Sequence, residues 1–438
     1  MTTQTTRAGV GVSGSRPRLL WTEYWYLVAV AIAAAVTVDP LEWGLAADRL
    51  LKHLAFAISL LALALTLTAR KLHSPWQRSG HLAKALRAAW PLAALAALVL
   101  AGSLYARLVA GIQNTFLNVG LYMLMTFVAA TMVQQSRAPD ALLRGYFRIL
   151  LAAAVVMGAW LVWNFRVRQV YHEQIFLVIP LAALLLVPAD RTLVRWLGGA
   201  FLLSMTWFSQ KYTSFLIGAV TVLYLGGAVA LPRLGARSGL YRATVVYWSL
   251  LLGGLVAGLL VVVALLWPAE LPTGNVEYRW HTYGEAWGRF VASPLWGTLF
   301  ADEAVEKFSL YTIGIAGNVL PTHSDFLDLL AHGGVTAAVL LLAGLAGIAR
   351  IAAKTVLAPR YLGQPWAAYA HTAALVSLAG ALTSAFNPIL LQPSMAYLWW
   401  STLGLLLGLS LRVGAEPSSE PTRATPEGDR HARRAVHA

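Results

Sequence analysis

The sequence predicts an all-α, polytopic integral membrane protein with about twelve transmembrane helices and one large extracytoplasmic loop. Two observations carry that expectation most directly: 58% of the 438 residues are hydrophobic and only 12% are charged, and mean hydropathy is +0.64. A third is periodic. Apolar runs of roughly 20 residues recur along the chain, the length a helix needs to cross a hydrocarbon slab of about 30 Å. A soluble core has too little interior for so many apolar side chains, so lipid must serve as part of the solvent.

Cysteine is absent, which excludes disulfides, thiolate chemistry and Cys-ligated metals. The formal charge is +14, but the basic residues are scattered over many short loops. That pattern speaks for membrane topology and against a nucleic-acid partner. The polar start runs straight into a full-length span with no small-residue cleavage site close behind, so no cleaved signal peptide is predicted.

Spans are predicted near 19–38, 48–68, 88–108, 115–134, 144–163, 173–188, 192–208, 213–231, 245–267, 326–350, 366–386 and 392–411. The resulting organisation is a cytoplasmic segment 1–18, nine spans within 19–267, a large loop 268–323 with an interfacial helix, three spans within 324–411, and a disordered cytoplasmic tail 412–438. No internal repeat of the kind that marks transporter halves stands out. Short-loop Lys and Arg favour the cytoplasmic side. Arg7, Arg16 and Arg18, then Arg70 to Arg87, Arg137 to Arg148, Arg191 and Arg195, Arg233 to Arg242, and Arg350 to Arg360 fall on alternate connections, which puts both termini inside. Asp39, Glu42 and Asp48, in a first outer loop without Lys or Arg, agree.

In that frame Arg166, Arg168, Lys211, Arg279 and Arg289 sit on the outer side. Each alone could meet lipid phosphates or snorkel to the interface, and Arg166 or Arg168 could pair with Glu173. Several guanidinium groups converging on one outer face are what a phosphate or diphosphate headgroup requires, because the planar fork engages two oxygens at once.

Residues 277–291, EYRWHTYGEAWGRFV, read as an amphipathic helix lying on the bilayer. At about 100° per residue Trp280, Tyr283, Trp287 and Phe290 share a face. Arg289 falls opposite, beside Glu285 at i,i+4, in position for a solvated ion pair. Arg279 falls at the edge of the aromatic face, where a charge needs a partner such as a ligand phosphate. The aromatic residues Trp280, Tyr283 and Trp287 suit either an interfacial belt or stacking on sugar rings. Ser293-Pro294-Leu295-Trp296-Gly297 is a turn that ends the helix.

Thr322 and Asp325 have capping-box spacing, so a helix is predicted to begin there with His323 in its first turn. The positive end of a helix disfavours imidazolium, leaving His323 neutral near pH 7 and able to accept a proton. His332 lies nine positions on, about 13 Å along a helix, so the two cannot share a metal. Gly333-Gly334 suits close helix packing or a kink. No acidic pair or His cluster suggests a metal, and no cofactor is expected. Lys52, His53, His371 and Asn387 are the other polar residues in or at the spans, and none carries an assignment.

Together, Arg279, Trp287, the run Ser293 to Gly297, and His323-Ser324-x-x-Leu327-x-x-Leu330-x-x-Gly333-Gly334 resemble the bacterial O-antigen ligase family (WaaL-type), within the wider O-antigen ligase and polymerase superfamily. The resemblance is carried by motifs in the second half and by architecture alone in the first. It implies a GT-C-like helical fold in the bacterial inner membrane with the loop in the periplasm. It also implies a metal-independent enzyme of lipopolysaccharide biosynthesis that transfers a glycan from undecaprenyl diphosphate to lipid A–core oligosaccharide. By the same resemblance His323 matches the family's essential loop histidine and Arg279 its loop arginine. The arginine often found at the start of span eight is replaced here, with Lys211 nearest in Ser209-Gln210-Lys211-Tyr212, and the common Gly-x-Gly reads Gly297-Thr298-Leu299.

On this reading Arg166, Arg168, Lys211, Arg279 and Arg289 bind the diphosphate while His323 acts as general base in an inverting displacement. A polymerase using the same donor with a second lipid-linked glycan as acceptor is the nearest alternative. A lipid-linked oligosaccharide transporter would need a charged path through the membrane, and the mid-span regions are nearly bare of charge.

Overall fold

The computed structural model describes residues 18–38, 45–69, 76–112, 116–163, 174–188, 190, 192–209, 211–230, 275–301, 322 and 324–415. Among them the chain is all-helical. The helices are α1 (Trp21–Val38), α2 (Leu45–Ala69), α3 (Trp76–Ala88), α4 (Trp90–Leu108), α5 (Phe116–Met123), α6 (Met125–Gln135), α7 (Pro139–Trp163), α8 (Ile175–Val178), α9 (Ala182–Leu186), α10 (Leu193–Phe208), α11 (Tyr212–Tyr224), α12 (Asn275–Ala292), α13 (Asp325–Lys354), α14 (Ala367–Ser384) and α15 (Pro393–Val413).

Among the described residues, six helices are long and apolar enough to cross a membrane: α1, α4, the nearly continuous pair α5 and α6, α7, α13 and α15. They coincide with expected spans one, three, four, five, ten and twelve. Shorter apolar helices, His53–Thr68, Ile175–Leu186, Leu193–Phe208 and Thr213–Val229, occupy spans two, six, seven and eight. Span six is broken by a 3-10 turn, Ile179–Leu181, because Pro180 has no N–H to give the helical ladder. Span eight ends in a π turn, Leu225–Ala230. At span eleven α14 is buried nearly throughout, including His371, Thr372, Thr383 and Ser384. Span nine lies outside the described residues, as do 268–274, 302–321 and 323 of the long loop and residues 1–17 and 416–438.

α3 lies where a polar connection was expected. Its Lys84 ammonium donates to the Leu411 carbonyl at 3.3 Å, and Arg412 reaches across to the Ser136 carbonyl at 2.7 Å. Both cations thus meet carbonyl oxygens at the ends of α15 and α6, the electronegative ends of those helices.

α15 is the central post. Against α6 it presents Gly404 and Gly408, where an added Cβ would lie 2.3 Å from the Thr126 oxygen and 2.5 Å from the Ala130 oxygen. The four-residue spacing of these small residues lets the two backbones touch, and dispersion at close range takes the place of a hydrophobic drive that lipid does not supply. Hydroxyls tie the same core: Tyr397 to Ser59 at 2.6 Å and Tyr146 to Thr402 at 2.7 Å. Side chains that face lipid, such as Trp21, Leu108 and Trp163, remain exposed on the protein.

Candidate functional site

α12 forms continuously in spite of Gly284 and Gly288, which face open space. It packs against the first half of α13 through a stripe at helical spacing. Thr282 and Ala286 are buried, and Arg279, Tyr283, Arg289 and Phe290 are partly buried. Positions 279, 282, 283, 286 and 290 are neighbours on one side of a helix. Trp287 is 56% exposed and meets Phe290 with ring centroids 5.1 Å apart. The protein-facing stripe is therefore mixed cationic and aromatic, where the sequence suggested a wholly aromatic one. Glu285 is exposed and Arg289 partly buried, with Arg289 also within electrostatic reach of the buried Asp328 of α13. The Trp280 side chain lies outside the described residues.

Arg279 lies beside the Tyr283 hydroxyl, one turn apart on α12. Burial pushes that hydroxyl above its usual range, and the Asp328 carboxylate adds to the rise, while the Arg279 guanidinium pulls it back. Tyr283 is accordingly a neutral phenol beside Arg279, whose guanidinium can only donate to the phenol oxygen.

α13 starts later than the cap spacing suggested. Ser324 is the N-cap, accepting from the Leu327 N–H at 3.3 Å. Thr322 instead closes a small turn, its hydroxyl donating to the Ser324 carbonyl at 2.8 Å and accepting from the Ser324 N–H at 3.0 Å. Position 323 therefore precedes the cap and is not in the first turn, so the helix's positive end no longer argues for a neutral imidazole there. His323 itself lies outside the described residues, though both its neighbours are inside.

Two acidic residues organise this end of α13. Asp325 does not cap its own helix; its Oδ2 accepts from the N–H groups of Ile389 and Leu390 at 2.6 and 2.9 Å. Asp328 Oδ1 accepts from the Thr322 N–H at 3.3 Å. Replacing Asp325 by Ala leaves two buried donors unmade, each worth about 1–3 kcal/mol. The expected result is a lower thermal midpoint in detergent, with Asp325→Asn falling between wild type and Asp325→Ala.

The Gly333-Gly334 pair is a kink. Gly334 has φ 63 and ψ −166 inside α13, a conformation open to glycine and costly for residues with a Cβ. The broken ladder is repaired from the turn after α12. Val335 and Thr336 donate their N–H groups to the Pro294 and Leu295 carbonyls at 2.8 and 3.2 Å, and Phe300 N–H donates to the His332 carbonyl at 3.0 Å. The Thr336 hydroxyl adds a bond to the Leu295 carbonyl at 2.7 Å. Gly297, at φ +56, lets this turn approach the His332–Gly333 peptide, where a Cβ would sit 2.5 Å from backbone carbon. The run Ser293 to Gly297 and the pair Gly333-Gly334 are thus two halves of one joint. His332 is buried beside it, its ring 4.7 Å from that of Phe116.

Lys211 is partly buried at the start of α11. Asn387 bonds the Thr213 hydroxyl at 3.3 Å, and the same turn carries the Ile389 and Leu390 donors to Asp325. The turn after α14 therefore links the start of α11 to the start of α13. Arg166 and Arg168 lie outside the described residues. Among the described residues no group of three or more His, Asp or Glu is arranged to hold a metal ion. The apolar crevice between α1 and α7, lined by Ala34, Val38, Leu150 and Met157, offers nothing to a charged ligand.

Chemically, the described site offers two guanidinium groups and a neutral phenol on one helix, set against a buried carboxylate and the flanks of a histidine. From the sequence, Asp325 had only a capping role and Asp328 had none. The available signal was two carboxylates opening a helix that is otherwise apolar, since charge in a span is rare without a purpose. No protein-family model and no curated protein matches the sequence.

Proposed function

We propose that the protein is a membrane glycosyltransferase of the O-antigen ligase type. It transfers a glycan from undecaprenyl diphosphate to lipid A–core oligosaccharide on the periplasmic face of the bacterial inner membrane, within a fold of about twelve spans and with both termini cytoplasmic. The observation that carries this reading is the cationic stripe of α12, Arg279 and Arg289, held against the start of α13 beside the residues that flank His323. The motif resemblance supports it through the same residues.

In this mechanism an acceptor sugar hydroxyl attacks the anomeric carbon as its proton passes to His323. The bond from the anomeric carbon to the diphosphate oxygen breaks, undecaprenyl diphosphate leaves with the electron pair, and the anomeric centre inverts. Arg279 and Arg289, with Arg166, Arg168 and Lys211, balance the growing charge on the diphosphate, a task that guanidinium forks perform well through paired hydrogen bonds. Trp287, exposed on α12, suits the interfacial belt, and Tyr283 serves the site through Arg279.

The test is a reconstituted assay in chelator with purified protein, undecaprenyl-diphosphate-linked glycan and lipid A–core acceptor. Wild type is expected to move glycan to the core with inversion, and His323→Ala to fall by about 10²–10⁴ in rate. Chain growth on the lipid carrier would move the assignment to polymerase. Passage of donor across vesicles without transfer would make the protein a transporter, and retained configuration would end the single displacement.

A further inference from the structure

We propose that Asp328 is a positioning residue of this site, fixing the turn formed by Thr322 and Ser324 at the start of α13, where α12 packs. For its catalytic consequence the inference rests on the ligase reading; its geometry does not. Asp328 is 6% exposed. Its Oδ1 takes the Thr322 N–H, and its Oδ2 has no hydrogen-bond partner among the described residues. Arg289 from α12 and His332 from the next turn of α13 act on the same carboxylate, as it acts on Tyr283, the neighbour of Arg279. Asp325, one turn back, is the other acid facing it.

Burying a carboxylate is costly unless donors and cations compensate. Here the compensation comes from three places separated in sequence: the turn before α13, the stripe of α12 and the body of α13. Asp328 meets all of these groups only when the turn and the two helices are assembled. It therefore couples the histidine-bearing turn to the diphosphate-binding helix, which neither element achieves by itself. A buried acid with only a packing role would need no such convergence.

Two readouts test this. In transfer kinetics, Asp328→Ala is expected to lower kcat at least about tenfold while donor KM changes less than about threefold, because misplacing a catalytic group costs rate more than binding. Asp328→Asn, whose amide oxygen still accepts from Thr322, is expected to keep about half the wild-type kcat or more. Equal losses in the two variants, or wild-type kcat in Asp328→Ala, overturn the proposal. If Asp328→Ala does not fold, Thr322→Pro, which deletes the same N–H donor, must reproduce the loss of kcat, and wild-type kcat in that variant overturns it.

The second readout needs no activity. The chain has no cysteine, so spin labels at His323→Cys and Gly288→Cys report one distance between the turn and the exposed side of α12. That distance is expected to be narrowly distributed with Asp328 present and broad in Asp328→Ala; an unchanged distribution overturns the proposal. Broadening in a protein whose wild type transfers no glycan sustains the coupling and removes the ligase reading.

Discussion

Arg279→Ala is expected to lower glycan transfer by about 10²–10³ with folding intact, the usual cost of deleting one preorganised donor to a charge that develops in the transition state. The side chain is partly buried beside Tyr283, which limits how far solvent can stand in for it. Arg279→Lys is expected to recover little, because an ammonium is a point charge and cannot offer the paired, planar donors of guanidinium. Tyr283→Phe keeps the charge and loses only the phenol oxygen beside it, so a loss of several-fold is expected, well short of Arg279→Ala. The measurement is kcat/KM for donor in the reconstituted assay, beside size-exclusion profiles and thermal midpoints. Activity of Arg279→Ala within a few-fold of wild type would remove this residue from diphosphate binding.

Gly334→Ala is expected to be strongly destabilising for a single added methyl. The residue's φ of 63 and ψ of −166 are hostile to any Cβ, and such backbone strain alone costs about 1–3 kcal/mol. The new methyl would also lie 2.5 Å from the Leu295 carbonyl group, which is backbone and cannot rotate away. To relieve it the turn must withdraw, and its withdrawal strands Val335, Thr336 and Phe300 N–H groups that now bond across the joint. A total of order 3 kcal/mol or more is expected. Gly284→Ala, on the open side of α12, is the control: it faces empty space and should stabilise the helix slightly. Thermal unfolding in detergent reads both. A Gly334→Ala midpoint equal to that of wild type would mean that the joint does not hold α13 in its kinked form.

These results bear on how the site relates to the chain's local character. Apolar length is a property of single segments, and so α1, α4, α7, α13 and α15 could be placed to within a few residues from composition alone. The helical periodicity of 277–291 likewise announced α12, and the glycine pair announced a kink. What local pattern cannot contain is the identity of the opposite surface. An amphipathic helix with aromatics reads as membrane-bound, and nothing in its own sequence says that α12 also packs against α13, which brings Arg289 within electrostatic reach of Asp328. The capping signal failed for the same reason. Asp325 had the spacing to serve its own helix, but the backbone donors of Ile389 and Leu390, more than sixty positions away in sequence, bind the same oxygen more completely.

By itself, then, the sequence determined that this is a helical membrane protein and which segments are apolar enough to span. All of that follows from transfer energies and hydrogen-bonding needs that each segment meets alone. Only the tertiary structure decided that Arg279, Tyr283, Arg289 and Asp328 form one electrostatic group, and that the Ser293–Gly297 turn completes the broken ladder of α13. A buried charge or an opened helix turn is stable only when a distant segment supplies its partner, and which segment does so depends on packing that no stretch of sequence encodes alone.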